Sequence, residues 1–314
     1  MKLNMSISPH VRSKDTTRSV MLDVAIAMIP SIIIGIYYGG WRAALIVALS
    51  VGSCVLCEFL YDKLMHKPNT VGDCSAVVTG LILACNLYST APIWLPILGG
   101  AFAIIVVKML YGGLGQNFMN PACAARCFLL ISFPSIMTSY PALDGVSSAT
   151  PLTALASGET VSLGSLLLGN HVGTIGETSA IAILIGFIYL VAKRVISPKI
   201  PLCTVGSAAI FLVIFGNMAG ETVNLNFMLT QLLAGGLLFG AVFMATDYVT
   251  APVTKWGQVI YAATIGLLVA FIRCFGGSTE GMSYAIIIAN LLTPLLERAT
   301  KPTPFGIKKE REAK

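Results

Sequence analysis

Charge is what this chain has least of. Asp, Glu, Lys and Arg make up 11% of its 314 residues and apolar types 56%, against roughly 25% charged residues in an ordinary soluble domain. That balance excludes a water-soluble globular fold and leaves an integral membrane protein. Histidine is nearly absent, with only His10, His66 and His171. The eight cysteines do not make up the shortfall in metal ligands: Cys54 and Cys57 form a CxxC inside one apolar run, and Cys123 and Cys127 lie a helical turn apart in another. A zinc or cluster site wants further Cys or His nearby. These cysteines therefore read as small packing residues of membrane helices, and their depth in the bilayer indicates no disulfide pair. No cleavable leader is evident, because residues 1–19 are polar and the first apolar run is too long for a signal core. Finally, the hydroxyl-rich segment from Tyr140 to Gly176 contains no Lys or Arg at all.

What the chain does contain is long apolar sequence. A helix of about 17–25 apolar residues crosses ~30 Å of hydrocarbon. Ten candidates lie near 20–38, 42–61, 73–90, 93–111, 121–139, 177–196, 200–216, 227–245, 257–275 and 280–297, with Gly and Pro interrupting the third, fourth and eighth. The expected fold class is an all-α polytopic membrane protein. Lys2, Arg12, Lys14 and Arg18 precede the first run, and an excess of positive charge marks the cytoplasmic side. Threading ten spans from there leaves Arg42 and Arg273 outside and Arg126 within a span. The other basic residues, including Lys63, Lys67, Lys193, Arg194, Lys199 and the tail from Arg298 to Lys314, then fall on the cytoplasmic side. The 140–176 loop faces the exterior, where a lack of positive charge is expected. The net charge of +6 is accounted for by topology and lipid contact, and no nucleic-acid partner is indicated.

The chain also repeats itself. "TGLILACNLYSTAP" (79–92) aligns with "FGAVFMATDYVTAP" (239–252) at an offset of 160, and the glycine pair Gly112–Gly113 aligns with Gly276–Gly277 at an offset of 164. Two five-span halves, 20–139 and 177–297, follow, flanked by a cytoplasmic N-terminal segment (1–19) and a basic tail (298–314). Because five is odd, the second half enters from the opposite side, an inverted-topology repeat. Such repeats hold ligands where broken helices offer unpaired backbone. Two candidate breaks stand out. "GGLGQNFMNPA" (112–122) carries the amides Asn117 and Asn120, and "ATDYVTAP" (245–252) carries the carboxylate Asp247; both lie toward the cytoplasm. Paired amides can donate and accept at once, as an uncharged ring with polar edges requires. The same residues can equally be helix caps and a solvated loop acid. The exterior loop is long enough to be functional or disordered and too apolar for plain disorder. Within it "DGVSSAT" sets Asp144 six residues ahead of the accessible hydroxyl of Thr150, which reads either as a modification site or as a hydroxyl-rich turn. A threonine oxygen would need a modifying enzyme to activate it.

The motifs resemble those of one family. The chain is similar to the D-type membrane component of the Rnf electron-transport complex, the counterpart of the B-type component of the sodium-translocating NADH:quinone oxidoreductase. The family's Asp-x-x-Ser/Thr-Gly-Ala-Thr flavinylation motif stands here as Asp144, Gly145, Val146, Ser147, Ser148, Ala149 and Thr150, with Ser148 where Gly is usual. "GGLGQNFMNPA" resembles GGxGxNxFNPA with Met119 in place of Phe, and "ATDYVTAP" resembles ATDPVTxP with Tyr248 in place of Pro. The resemblance implies a fold similar to urea transporters, covalent FMN on Thr150 near the outer face, and a noncovalent flavin such as riboflavin nearer the cytoplasm. It further implies a flavin transferase for maturation, other membrane and peripheral subunits as partners, electron transfer between ferredoxin and NAD coupled to Na+ or H+ movement, and a bacterial or archaeal cytoplasmic membrane.

Two other classes remain on sequence grounds. A small-solute channel predicts uptake by the isolated protein and no bound flavin; a cofactor-free anchor predicts that the loop is a docking surface. Among ionisable residues within spans, Asp23, Glu58 and Arg126 are the candidates for ion coupling.

Overall fold

The computed structural model describes residues 15–138, 150–157, 161–220, 223–276 and 281–302. Among these every regular element is helical. Asp144, Ser147, Ser148 and Ala149, expected beside the flavin-bearing threonine, lie outside the described residues.

Helix α1 (Thr17–Leu64) begins at a capping box in which Thr16 Oγ1 accepts from Ser19 N and Ser19 Oγ accepts from Thr16 N. Its 48 residues are two limbs that meet at Gly40, where φ is 69°, so the first two apolar runs form one broken element. A 3-10 turn (Val71–Asp73) leads into α2 (Ser75–Cys85). Helix α3 (Trp94–Ala101) passes directly into a π-helical segment, Phe102–Met109. Helices α4 (Pro121–Ser132) and α5 (Pro134–Met137) complete the first half. Two short helices, α6 (Pro151–Ala156) and α7 (Leu163–Leu168), occupy the central loop.

The second half comprises α8 (Ala180–Ala192), α9 (Lys199–Ala219), α10 (Leu225–Leu233), α11 (Leu237–Phe239) with its π extension Gly240–Met244, α12 (Lys255–Phe275) and α13 (Met282–Ala299). Helices α1, α9 and α12 are each long and apolar enough to cross a bilayer; a fourth crossing is reached if α10 and α11 count as one span bent by 55°. The bend falls at Gly235 and Gly236, both left-handed with φ of 70° and 67°, a conformation that only glycine adopts without strain.

Helix packing relies on close backbone approach. A methyl on Gly80 of α2 would lie 2.7 Å from Val51 Cα of α1, and one on Gly266 of α12 would lie 2.6 Å from Ala208 N of α9. Neither fits, so glycine at these sites lets the pairs α1/α2 and α9/α12 close up, as small residues do in membrane helices. The principal core joins both halves through Met28, Ile82, Cys123, Phe243, Tyr261 and Ala285. The outer surface is the reverse of a soluble protein's: Tyr37 is 80% exposed and Met218 70%, with Ile33, Ile188, Leu202 and Ile210 also facing outward. An apolar exterior of that extent is suited to lipid.

Candidate functional site

A cavity of about 770 Å³, open mouth included, lies where the two halves meet. The first turns of α1 (Val20, Met21, Val24), α2 (Ser75, Val78, Thr79), the segment 114–122 and the segment 242–249 enclose it. Asn117, Asn120 and Asp247, drawn from two stretches well over a hundred residues apart, all line it.

The three residues are held differently. Asn120 is the N-cap of α4: its Oδ1 accepts from Ala122 N at 3.0 Å and Cys123 N at 3.3 Å, with Pro121 in the first turn. Proline is favoured there because that N–H has no helical partner anyway. The Nδ2 of Asn120 donates to Met244 O at 3.1 Å, so one side chain starts a helix of the first half and ties it to the π segment of the second. Asn117 is buried and donates to Met119 O at 3.0 Å. Asp247 is half-buried and accepts from Val249 N at 3.3 Å and Thr250 Oγ1 at 3.2 Å. Burial pushes its carboxyl above the usual carboxylate range, and those two donors offset part of the rise.

A fourth wall residue was not singled out from sequence. Lys108, which the charge count leaves among the cytoplasmic-side residues, is 2% exposed. Its Nζ lies 2.9 Å and 3.0 Å from the two carboxylate oxygens of Glu58 and donates to Ser75 Oγ at 2.6 Å. Glu58, on α1, is fully buried and also accepts from Thr70 Oγ1 at 2.7 Å. Asp62, one turn on, accepts from Thr70 N at 2.9 Å and Thr70 Oγ1 at 3.0 Å. Lys108 and Ser75 line the cavity, whereas Glu58 and Asp62 stand behind them. A lysine near the end of an apolar run looks like a residue snorkelling to the interface, and its partner is fifty residues away, so spacing gives no hint of the pair.

The other expected residues sit elsewhere. Thr150 is buried and caps α6: its Oγ1 accepts from Thr153 N at 3.3 Å and lies 2.9 Å from Thr153 Oγ1. Leu152 packs with Leu166 and Ala234, seating both short helices against the C-terminal end of α10. There Arg273, from the last turn of α12, donates to the carbonyls of Gln231, Ala234 and Gly235. These are the carbonyls that a broken helix leaves without helical partners. Arg126 is buried on α4 and donates to Asn86 Oδ1 at 2.6 Å. Asp23 accepts from Tyr189 OH at 2.7 Å and lies 3.9 Å from Lys193 Nζ. Among the described residues no cluster of His, Cys, Asp and Glu suits a metal ion, and Cys54, Cys57, Cys123 and Cys127 are free thiols.

Apolar exterior, broken helices and a cavity lined from both ends of the chain define the class: a multi-pass helical membrane protein. A model of the NQR2, RnfD, RnfE family matches residues 4–306, and the chain belongs to that family. The D-type component of the Na(+)-translocating ferredoxin:NAD(+) oxidoreductase complex of Acetobacterium woodii is 46% identical over 323 residues, covering 100% of this chain and 99% of that protein. The D-type component of the proton-translocating ferredoxin:NAD(+) oxidoreductase complex of Clostridium ljungdahlii is 36% identical, covering 97% and 96%. The D-type component of the ion-translocating oxidoreductase complex of Aliivibrio salmonicida is 34% identical, covering 98% and 100%.

Proposed function

We propose that this chain is the D-type membrane component of an ion-translocating ferredoxin:NAD oxidoreductase complex, carrying covalent FMN on Thr150 and a noncovalent flavin in the cavity lined by Asn117, Asn120 and Asp247. In this reading the ten apolar segments form two inverted five-span halves, both termini are cytoplasmic, and the 140–176 loop is exterior. A flavin transferase modifies the chain, and other membrane and peripheral subunits supply and remove electrons while Na+ or H+ moves. The observation that carries the proposal is the convergence of Asn117, Asn120 and Asp247 on one cavity, combined with end-to-end similarity to the D-type components of such complexes.

The chamber residues suit the inner group, whereas the Thr150 hydroxyl, expected to be accessible, is only 5% exposed because it caps α6. At Thr150, Oγ1 accepts from Thr153 N, a bond an ester oxygen retains; Thr153 Oγ1 donates to Thr150 O, so the contact between the two hydroxyls is one that Thr150 donates and that esterification gives up. In the chamber, Val78, Ile82, Val242 and Phe243 give apolar walls for a ring. Asn117 and Asp247 give polar contacts at its edges, and Lys108 adds an ammonium whose own hydrogen bonds go to Glu58 and Ser75, a make-up consistent with a cofactor site. A flavin supplies the one- and two-electron redox chemistry that amino-acid side chains lack, while the protein binds, orients and tunes it. Here Asn120 fixes the relative position of the two halves, Asn117 and Asp247 orient polar ring edges, and the apolar walls exclude water.

The test is Thr150→Val in the intact complex, expressed with its flavin transferase. The expected result is loss of the chain's ultraviolet-excited fluorescence on a denaturing gel, with membrane insertion and noncovalent flavin retained. Fluorescence that survives the substitution would move the attachment elsewhere.

A further inference from the structure

We infer that Lys108 is a positioning residue for the redox potential of the inner cofactor, holding a fixed positive charge on the chamber wall; the inference rests on the flavin reading of that chamber. The ion pair is oriented. Lys108 and Ser75 line the cavity, and Glu58, 0% exposed, lies behind the ammonium and holds it with both carboxylate oxygens. The positive end of the pair therefore points inward. Asp247, from the C-terminal part of the chain, gives the same chamber a carboxyl group, so an occupant meets the ammonium wall on one side and a carboxyl acceptor on another.

The backbone supports this placement. Lys108 sits near the end of the π segment Phe102–Met109, where Leu110 N bonds Ile105 O in place of the α-helical partner. Such π stretches occur often at functional sites. Stability gives no reason for the arrangement, since a buried ion pair adds little over apolar residues of similar volume. A buried charge beside a cavity in a membrane protein is a functional-site hypothesis by default.

A cofactor that accepts an electron gains negative charge unless a proton accompanies it. A buried cation at the ring's edge stabilises the reduced form more strongly than it would in water, so it raises the reduction potential. Ring acceptors, such as the pyrimidine carbonyls of a flavin, are expected to face Lys108, and N–H or ribityl donors to face Asp247.

The experiment is a redox titration of the noncovalent flavin in the purified whole complex, comparing wild type, Lys108→Arg and the double variant Glu58→Gln/Lys108→Met. The double variant is used because Lys108→Met alone would leave Glu58 buried and unpaired. Flavin content is measured first, and a wild-type complex without a second flavin defeats the underlying chamber reading. With flavin bound, the double variant is expected to shift the reduction equilibrium at least tenfold toward the oxidised form, about 59 mV for one electron. Lys108→Arg is expected to stay close to wild type, and the covalent flavin to keep its potential. An unchanged potential in the double variant overturns the inference. Loss of the flavin from the double variant overturns the inference in favour of a binding or packing role.

Discussion

Asn117 and Asn120 are three residues apart and line one cavity, yet their side chains have different duties. Asn120 caps α4 and bridges to Met244, a structural duty. Asn117 forms a single local bond to Met119 O. The two are therefore separable by measurement. Asn120→Ala removes an N-cap, which costs about 1–2 kcal/mol, and is expected to lower the thermal midpoint of the detergent-solubilised protein. Asn117→Leu is expected to leave that midpoint nearly unchanged while reducing dialysable flavin. The reverse pattern would exchange their assigned roles. Asp247→Ala combined with Asn117→Leu is expected to release the inner flavin on dialysis, with the covalent flavin as internal control. Undiminished flavin would place the inner site elsewhere.

Breaks in helices are the elements from which the sites are built. Glycine interrupts the eighth apolar run in the sequence, and the run bends by 55° at Gly235 and Gly236. A methyl on Gly235 would collide with Leu152 and come within 2.7 Å of Arg273 Nη2; the left-handed backbone adds roughly 1–2 kcal/mol of strain for any L side chain. Gly235→Ala is thus expected to loosen α6 from α10, lowering the thermal midpoint and the yield of covalent flavin. Protease cutting near residues 150–157 would rise with it. Unchanged proteolysis would mean that α6 is not held by this contact. The pairing of Asn117 and Asn120 with Asp247 was legible in the sequence because glycines and amides are out of place in apolar helices. The Glu58–Lys108 pair was not, since a single charge near a span's end has an ordinary explanation at the interface. Nor was the π register that sets Lys108, which leaves no compositional mark. Thr150 is proposed on its motif alone, and the seating of Leu152 on α10 depends on contacts between distant segments.

On the scale of the whole molecule, composition settled the solvent before any element was placed: an 11% charged chain turns its large apolar side chains outward, as Tyr37 and Met218 do. The orientation proposed from the basic residues can be measured too. In a background with the partly exposed Cys57, Cys74, Cys203 and Cys274 replaced by Ser, a charged maleimide added to whole cells is expected to label Ser157→Cys and to spare Lys199→Cys. Inverted membrane vesicles should show the opposite; labelling of both from one side would refute the threading. The claim on which everything else rests is a covalent bond, and mass reads it directly. The intact mass of the chain from active complex is expected to exceed the sequence mass by one esterified FMN, with peptide mapping assigning the increment to Thr150. A bare Thr150 in fully active complex would contradict the account.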